Sequence, residues 1–296
     1  MKDAFSSYHP LVNFLYFALV LVFTMVFTHP VCLAVSMGCA FWWSCRLGGR
    51  KALRFNLLAL LPMMLFMAAM NPVFSHEGAT ILAYFPDGNP LTLESIWYGV
   101  GAAGMLAAVV CWFSCYNKVM TSDKFIYLFG RIIPALSLVL SMVLRFVPKF
   151  KGQLSVVSNA QKCVGRDAGS GSPVQKAKHG VRILSVMVTW ALENAIETAD
   201  SMKSRGYGLP GRSSFSLYRF DGRDQGALAF LLSTGAFIVL MALRGGMDWQ
   251  YYPIVKGAGL SAWSVSAWLC YLALCGMPMI LNCWEERTWK RIASNI

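Results

Sequence analysis

Long uncharged blocks alternate with short basic ones along this chain. Residues 4–45 contain no Lys, Arg, Asp or Glu, a run of 42, and further runs of 22 (55–76), 23 (95–117), 19 (225–243) and 28 (257–284) follow. About 20 apolar residues are enough to cross a bilayer as a helix. The first run is too long for one crossing and breaks at His29-Pro30, because proline interrupts a helix interior. The pattern predicts six spans, at residues 11–28, 31–45, 55–70, 96–116, 227–243 and 262–283, the second being the shortest. A soluble core helix rarely stays apolar on every face over this length. The expected fold is therefore all-α and polytopic, with N-terminal transmembrane helices (1–116), a cytoplasmic or interfacial helical region (117–225) and C-terminal transmembrane helices (226–296).

The middle region is too apolar for a solvated loop and too charged to span as a whole. Residues 132–144 form a 13-residue apolar stretch, followed by Arg145 and Pro148 in the string RFVPK. A polar-apolar segment comes next, then a Gly/Ser hinge at 165–172, then a basic patch with Lys176, Lys178 and Arg182. Apolar runs of ~10–14 residues suit interfacial or buried helices better than spans, so long amphipathic helices at the inner membrane surface are expected. Arg145 reads as a headgroup-level anchor, with Pro148 ending its helix. The segment at 71–94 reads as an irregular loop on the opposite side, and 244–261 as a second outer loop rich in Gly and Tyr.

Charge fixes the expected orientation. Of the 26 Lys and Arg, 24 fall on one set of segments and two, Arg244 and Lys256, on the other. The positive-inside rule places the basic set, and both termini, in the cytoplasm of a multi-pass cell-membrane protein. The formal net charge of +12 is then mainly a topology signal. It argues for contact with the lipid bilayer and against nucleic acid, since the basic residues sit on separate inner segments. The first apolar block is too long for a cleaved signal peptide and lacks a small-residue cleavage site. The nine cysteines contain no C-x-x-C and the four histidines no ligand-spaced pair, so neither a metal nor a resident cofactor is expected.

Residues 183–203 read as one helix without Gly or Pro. Ala191, Ala195 and Ala199 recur every four residues and form a narrow small-residue stripe, on a face widened by Leu184, Met187, Val188 and Met202. Such stripes let helices approach closely, so this one is the expected helix-crossing surface. Glu193, Glu197 and Asp200 lie on another face and read as a solvated helix side rather than acid–base chemistry. The helix ends at Ser204-Arg205-Gly206, where Gly206 and Gly208 can supply a left-handed cap and Pro210 forbids continuation. The G-x-G-x-x-G spelled from Gly206 to Gly211 follows a helix instead of a strand, so a dinucleotide loop is not expected, and no P-loop occurs. No intramembrane charge pair of the kind ion-coupled carriers use is evident.

The strings LRFVP (144–148), Ala160-Gln161 and ADSMKSRGYG (199–208) together resemble the transmembrane T component of energy-coupling factor (ECF) transporters, the group that includes the membrane subunit of cobalt uptake systems. The resemblance covers roughly residues 136–220. It implies a non-enzymatic coupling subunit for vitamin or metal-ion uptake. Two ABC ATPases would hold ATP and Mg, and a separate S component would bind the substrate. It implies that two long helices carry arginine motifs into the ATPases. Ser204-Arg205-Gly206 would be the second motif and Gly165-Arg166-Asp167 the first, in a register shifted from the usual Ala-Arg-Gly. Ala191, Ala195, Ala199, Met202, Arg145 and Pro148 would serve helix–helix or S-component contact. A membrane scaffold, or an intramembrane enzyme without ATPases, is the alternative.

Overall fold

The computed structural model describes residues 3–84, 86, 88–130, 133–166, 169, 172–210, 218–257, 259 and 261–294. The elements run α1 (Pro10–Val26), α2 (Pro30–Phe55), α3 (Leu61–Phe74), β1 (Ile81–Tyr84), β2 (Pro90–Thr92), α4 (Leu93–Val119), α5 (Ser122–Gly130), α6 (Pro134–Cys163), α7 (Pro173–Ser204), α8 (Gly222–Leu243), β3 (Trp249–Gln250), β4 (Lys256–Gly257) and α9 (Ala262–Ser294). They divide into two compact units, Met1–Phe125 with Tyr218–Ile296, and Ile126–Leu217. The protein is all-α and polytopic, as the hydropathy pattern predicts.

Among the described residues of the first unit, four stretches are long and apolar enough to cross a membrane: Pro30–Phe74, Leu93–Val119, Gly222–Leu243 and Ala262–Thr288. Pro10–Val26 is a shorter apolar helix. Pro30–Phe74 is continuous in sequence but folds back on itself. Gly49 has φ 56° and ψ −145°, outside helical space. Asn56 Nδ2 then reaches Ser44 Oγ at 3.4 Å, whereas twelve residues of straight helix would separate them by ~18 Å. The stretch thus supplies the second and third expected spans. The basic 46–54 segment between them is helical on both sides of the glycine. Gly48 is needed too, because a Cβ there would collide with the Lys118 side chain and Ala52.

Both His-Pro dipeptides start a helix in the same way. His9 Nδ1 accepts from the Leu11 N–H and His29 Nδ1 from the Val31 N–H, each at 3.2 Å. Proline occupies the first helical position, where no backbone donor is required.

The core of this unit is aromatic. Tyr16, Trp43 and Trp112 are fully buried, and Phe17 stacks on Trp43 at 5.6 Å. Beside them lies a polar knot. Ser36 Oγ receives the Trp112 indole N–H at 2.9 Å and meets Thr24 Oγ1 at 2.7 Å, and Thr24 meets the Tyr271 hydroxyl at 3.1 Å. Four helices, α1, α2, α4 and α9, meet at these hydroxyls.

Each of the two segments expected as outer loops contains a short strand pair. β1 pairs antiparallel with β2, and β3 with β4. The hairpins interlock through Ala79 N–H donating to Pro253 O at 3.1 Å. The Tyr251 hydroxyl also donates to Thr28 O at 3.0 Å. At the far end of α4, the buried Lys124 ammonium donates to Ser6 O at 2.6 Å and Val119 O at 3.0 Å. Burial holds its pKa below the ordinary lysine value.

The fold-back at Gly49 has a direct test. Gly49→Ala forces a side chain into backbone space that is almost glycine-only and should cost about 1–3 kcal/mol. In detergent, its thermal midpoint should fall below that of Gly104→Ala, a helical position where an added Cβ meets nothing within 4 Å.

Candidate functional site

Among the described residues, the second unit holds the end of α5 and two long helices. α6 has 30 residues and runs straight through Pro148, which therefore does not end it as expected. α7 has 32 residues and begins ten positions before the predicted start at 183. The reason is local. Ser172 is the N-cap, Pro173 the first helical residue, and Gln175 Oε1 accepts from the Ser172 N–H at 3.2 Å. This is a capping box with Gln at the third position. It draws the basic patch at 176–182 into the helix.

The helices cross through bulky residues. Val157, Ile183 and Met187 are buried, with Phe150 and Trp190 packed against them. Phe150 meets Trp190 edge-on at 5.2 Å and 84°. Lys149 lies 5.5 Å from the Trp190 ring and donates to Asn194 Oδ1 at 2.8 Å. Ile183, Met187, Trp190 and Asn194 share one face of α7. At 100° per residue the Ala191, Ala195 and Ala199 stripe lies about a quarter turn away. Ala195 and Ala199 are exposed. Of the face expected to make the crossing, Met187 is buried at it, whereas the alanine stripe is not: backbone-to-backbone approach is replaced by bulky side chains around Phe150 and Trp190. The stripe instead joins an exposed apolar face that includes Leu184, Val188, Leu192 and Ile196.

The two helices end alike. In α7 the Gly206 N–H bonds to Lys203 O at 2.9 Å and the Tyr207 N–H to Met202 O at 3.0 Å. In α6 the Gly165 N–H bonds to Lys162 O and the Arg166 N–H to Gln161 O, both at 2.9 Å. Each is a complete Schellman motif. Its pivot glycine is left-handed, with φ 77° at Gly206 and 74° at Gly165. Aligned on their glycines, the tips read Val164-Gly165-Arg166 and Arg205-Gly206-Tyr207. Arg205 is thus the C-cap residue before its glycine, and Arg166 follows its glycine. The register shift read from the sequence is a displacement of two residues across a common backbone frame. Asp167, the third residue of the first motif, lies outside the described residues.

The Ser204 hydroxyl donates to Asp200 O at 2.8 Å and so is turned back onto its own helix. Arg145, Met202 and Arg205 line one groove between α6 and α7. Among the described residues no carboxylate forms an ion pair with either arginine. Pro148 is exposed and outside that groove. The crossing residues Phe150, Val157 and Trp190 were not singled out from the sequence. Ile183, Met187 and Trp190 at i, i+4 and i+7 carried the signal.

A family profile described as "Cobalt transport protein" (CbiQ) matches residues 5–216. Among curated proteins, the energy-coupling factor transporter transmembrane protein EcfT of Lacticaseibacillus paracasei is 35% identical over 112 residues, 37% of this chain and 42% of its own length. The protein of the same name from Lactococcus lactis is 36% identical over 90 residues, 30% of this chain and 34% of its own. EcfT 1 of Listeria monocytogenes is 28% identical over 195 residues, 61% of this chain and 72% of its own. The matched region thus spans less than half the length of the first two relatives. With a profile covering most of the polytopic fold and both helix tips, the chain belongs to the CbiQ family of transmembrane T components of the ECF type.

Proposed function

We propose that this chain couples two ABC ATPases to a substrate-binding S component, for uptake of a vitamin or metal ion, with both termini in the cytoplasm. The observation that carries this reading is the pair of Schellman-capped tips, one of which presents an arginine with no carboxylate partner among the described residues. A guanidinium at a helix end suits a carboxylate-lined groove, because it makes paired, directional bonds to carboxylate. The glycine beside it lets a partner backbone approach closely. ATP and Mg belong to the partners in this reading, and the chain performs no chemistry. The exposed apolar face of α7, with Ala191, Ala195 and Ala199 at its centre, is the surface offered to the S component.

The unequal tips predict unequal losses. Arg205→Glu should weaken co-purification with the ATPases by ~30-fold or more, the effect of reversing a buried interfacial charge. Arg166→Glu, further out on its tip, should cost about fivefold, as for an exposed pair. Retention of full uptake and full ATPase association by Arg205→Glu would remove the coupling role.

Orientation can be read from a native thiol. Cys163 is exposed in the last turn of α6. A membrane-impermeant maleimide should label it in inverted vesicles and not in intact cells, with Cys163→Ser identifying the signal. Labelling from outside the cell would reverse the topology.

A further inference from the structure

We propose that the groove between α6 and α7 binds an anionic glycerophospholipid, with its phosphate held by Arg145 and Lys149. The groove encloses about 580 Å³. One wall is apolar, built from Leu138, Met142 and Phe146, and Arg145 and Lys149 project along the same side of α6. They are four residues apart, so they are neighbours on the helix surface. The Lys149 ammonium is already oriented by Asn194 Oδ1 at 2.8 Å and by the Trp190 ring at 5.5 Å. Arg145 forms no ion pair among the described residues. Arg205 adds a third positive charge at the rim, against the single carboxylate of Glu197.

An oriented ammonium, an arginine one turn away and a neutral amide form a phosphate-binding arrangement. Arginine matches phosphate in a paired geometry and lysine supplies a point charge. The apolar wall identifies the source of the phosphate. It continues onto Leu136, Val139 and Val143, exposed by 57%, 54% and 48%. Acyl chains leaving a headgroup in the groove would cover this strip, whereas free phosphate would leave it bare. Basic pockets between helices on the cytoplasmic side of membrane proteins take anionic headgroups by this combination of charge and apolar contact. Glu197, Thr198 and Ser201 stand on the opposite wall and can accept from headgroup hydroxyls, which favours a glycerol headgroup. The proposal does not depend on the ATPase reading, because Arg145 and Lys149 hold the phosphate without Arg205.

The test is native mass spectrometry of the full chain in detergent, titrated with short-chain phosphatidylglycerol, phosphatidylcholine and inorganic phosphate in separate arms. Phosphatidylglycerol should bind at one site, and phosphatidylcholine and phosphate should not. The double variant R145Q/K149Q should weaken that binding at least about tenfold, equivalent to losing one charge-assisted hydrogen bond. Ser201→Asp places a like charge in the groove at an exposed position and should weaken binding without disturbing the crossing. Equal binding of phosphatidylcholine, or unchanged affinity in both variants, would overturn the site. Competition by inorganic phosphate at equal concentration would overturn the lipid assignment.

Discussion

The last carbonyls of α7 have no partner inside the helix, and the way they are satisfied decides where Arg205 points. Gly206 turns the chain left-handed, so that two N–H groups beyond the helix fold back onto Lys203 and Met202. An L side chain at that position would meet the steric penalty of the left-handed region. Pro210 follows at once and bars any return to helix. The arginine is therefore held at the last position with helical continuity, with its side chain free of intramolecular ion pairing among the described residues. α6 solves the same end problem with Gly165. The shared backbone solution makes the two tips comparable residue by residue. Their chemistry differs because the sequence places arginine on opposite sides of the glycine.

The first unit meets a related constraint from its apolar surroundings. In a bilayer core a polar group must find its partner within the protein. Thr24, Ser36, Trp112 and Tyr271 satisfy one another across four helices. Each such bond contributes only about 0.6 kcal/mol on average in membrane proteins. Their larger effect is on register: a helix displaced by one turn would strand a hydroxyl or an indole N–H without a partner. The Phe17–Trp43 stack fills the space beside this knot with shape-specific aromatic contacts.

The sequence displayed long-range composition well and local geometry unevenly. Uncharged runs located all six apolar helices, because the requirement for a span is a sum over ~20 residues and tolerates local error. The tip of α7 was also legible, since Gly and Pro have few conformational uses and Ser-Arg-Gly-Tyr-Gly-Leu-Pro leaves the chain little choice. Pro148 misled because proline is disfavoured but not forbidden within a helix, and 30 residues of amphipathic packing outweigh one lost hydrogen bond. The early start of α7 was written in Ser172-Pro173-Val174-Gln175, a capping box hidden beside a basic patch. The hairpins were missed because their strands are only two to four residues long and are held by contacts between distant loops. The crossing was assigned to the alanines because small residues permit close approach. Size alone does not say which face meets a partner, and Trp190 with Phe150 took that place.

The position of the crossing along α7 matters as much as its composition. Met187 lies near the middle of the helix, 14 residues from Pro173 and 17 from Ser204. At 1.5 Å per residue the two arms are ~21 and ~26 Å long. Among the described residues three are buried at the contact, so at ~1.5–3 kcal/mol per buried side chain the joint is held by less than ~10 kcal/mol. On α6 the buried contact is off-centre, with Val157 six residues from Cys163, so the joint is central on one helix and near the end of the other. The exposed apolar face lies between the two ends of α7. A joint made by the alanine stripe would have consumed that face, whereas the aromatic joint leaves it available for a partner.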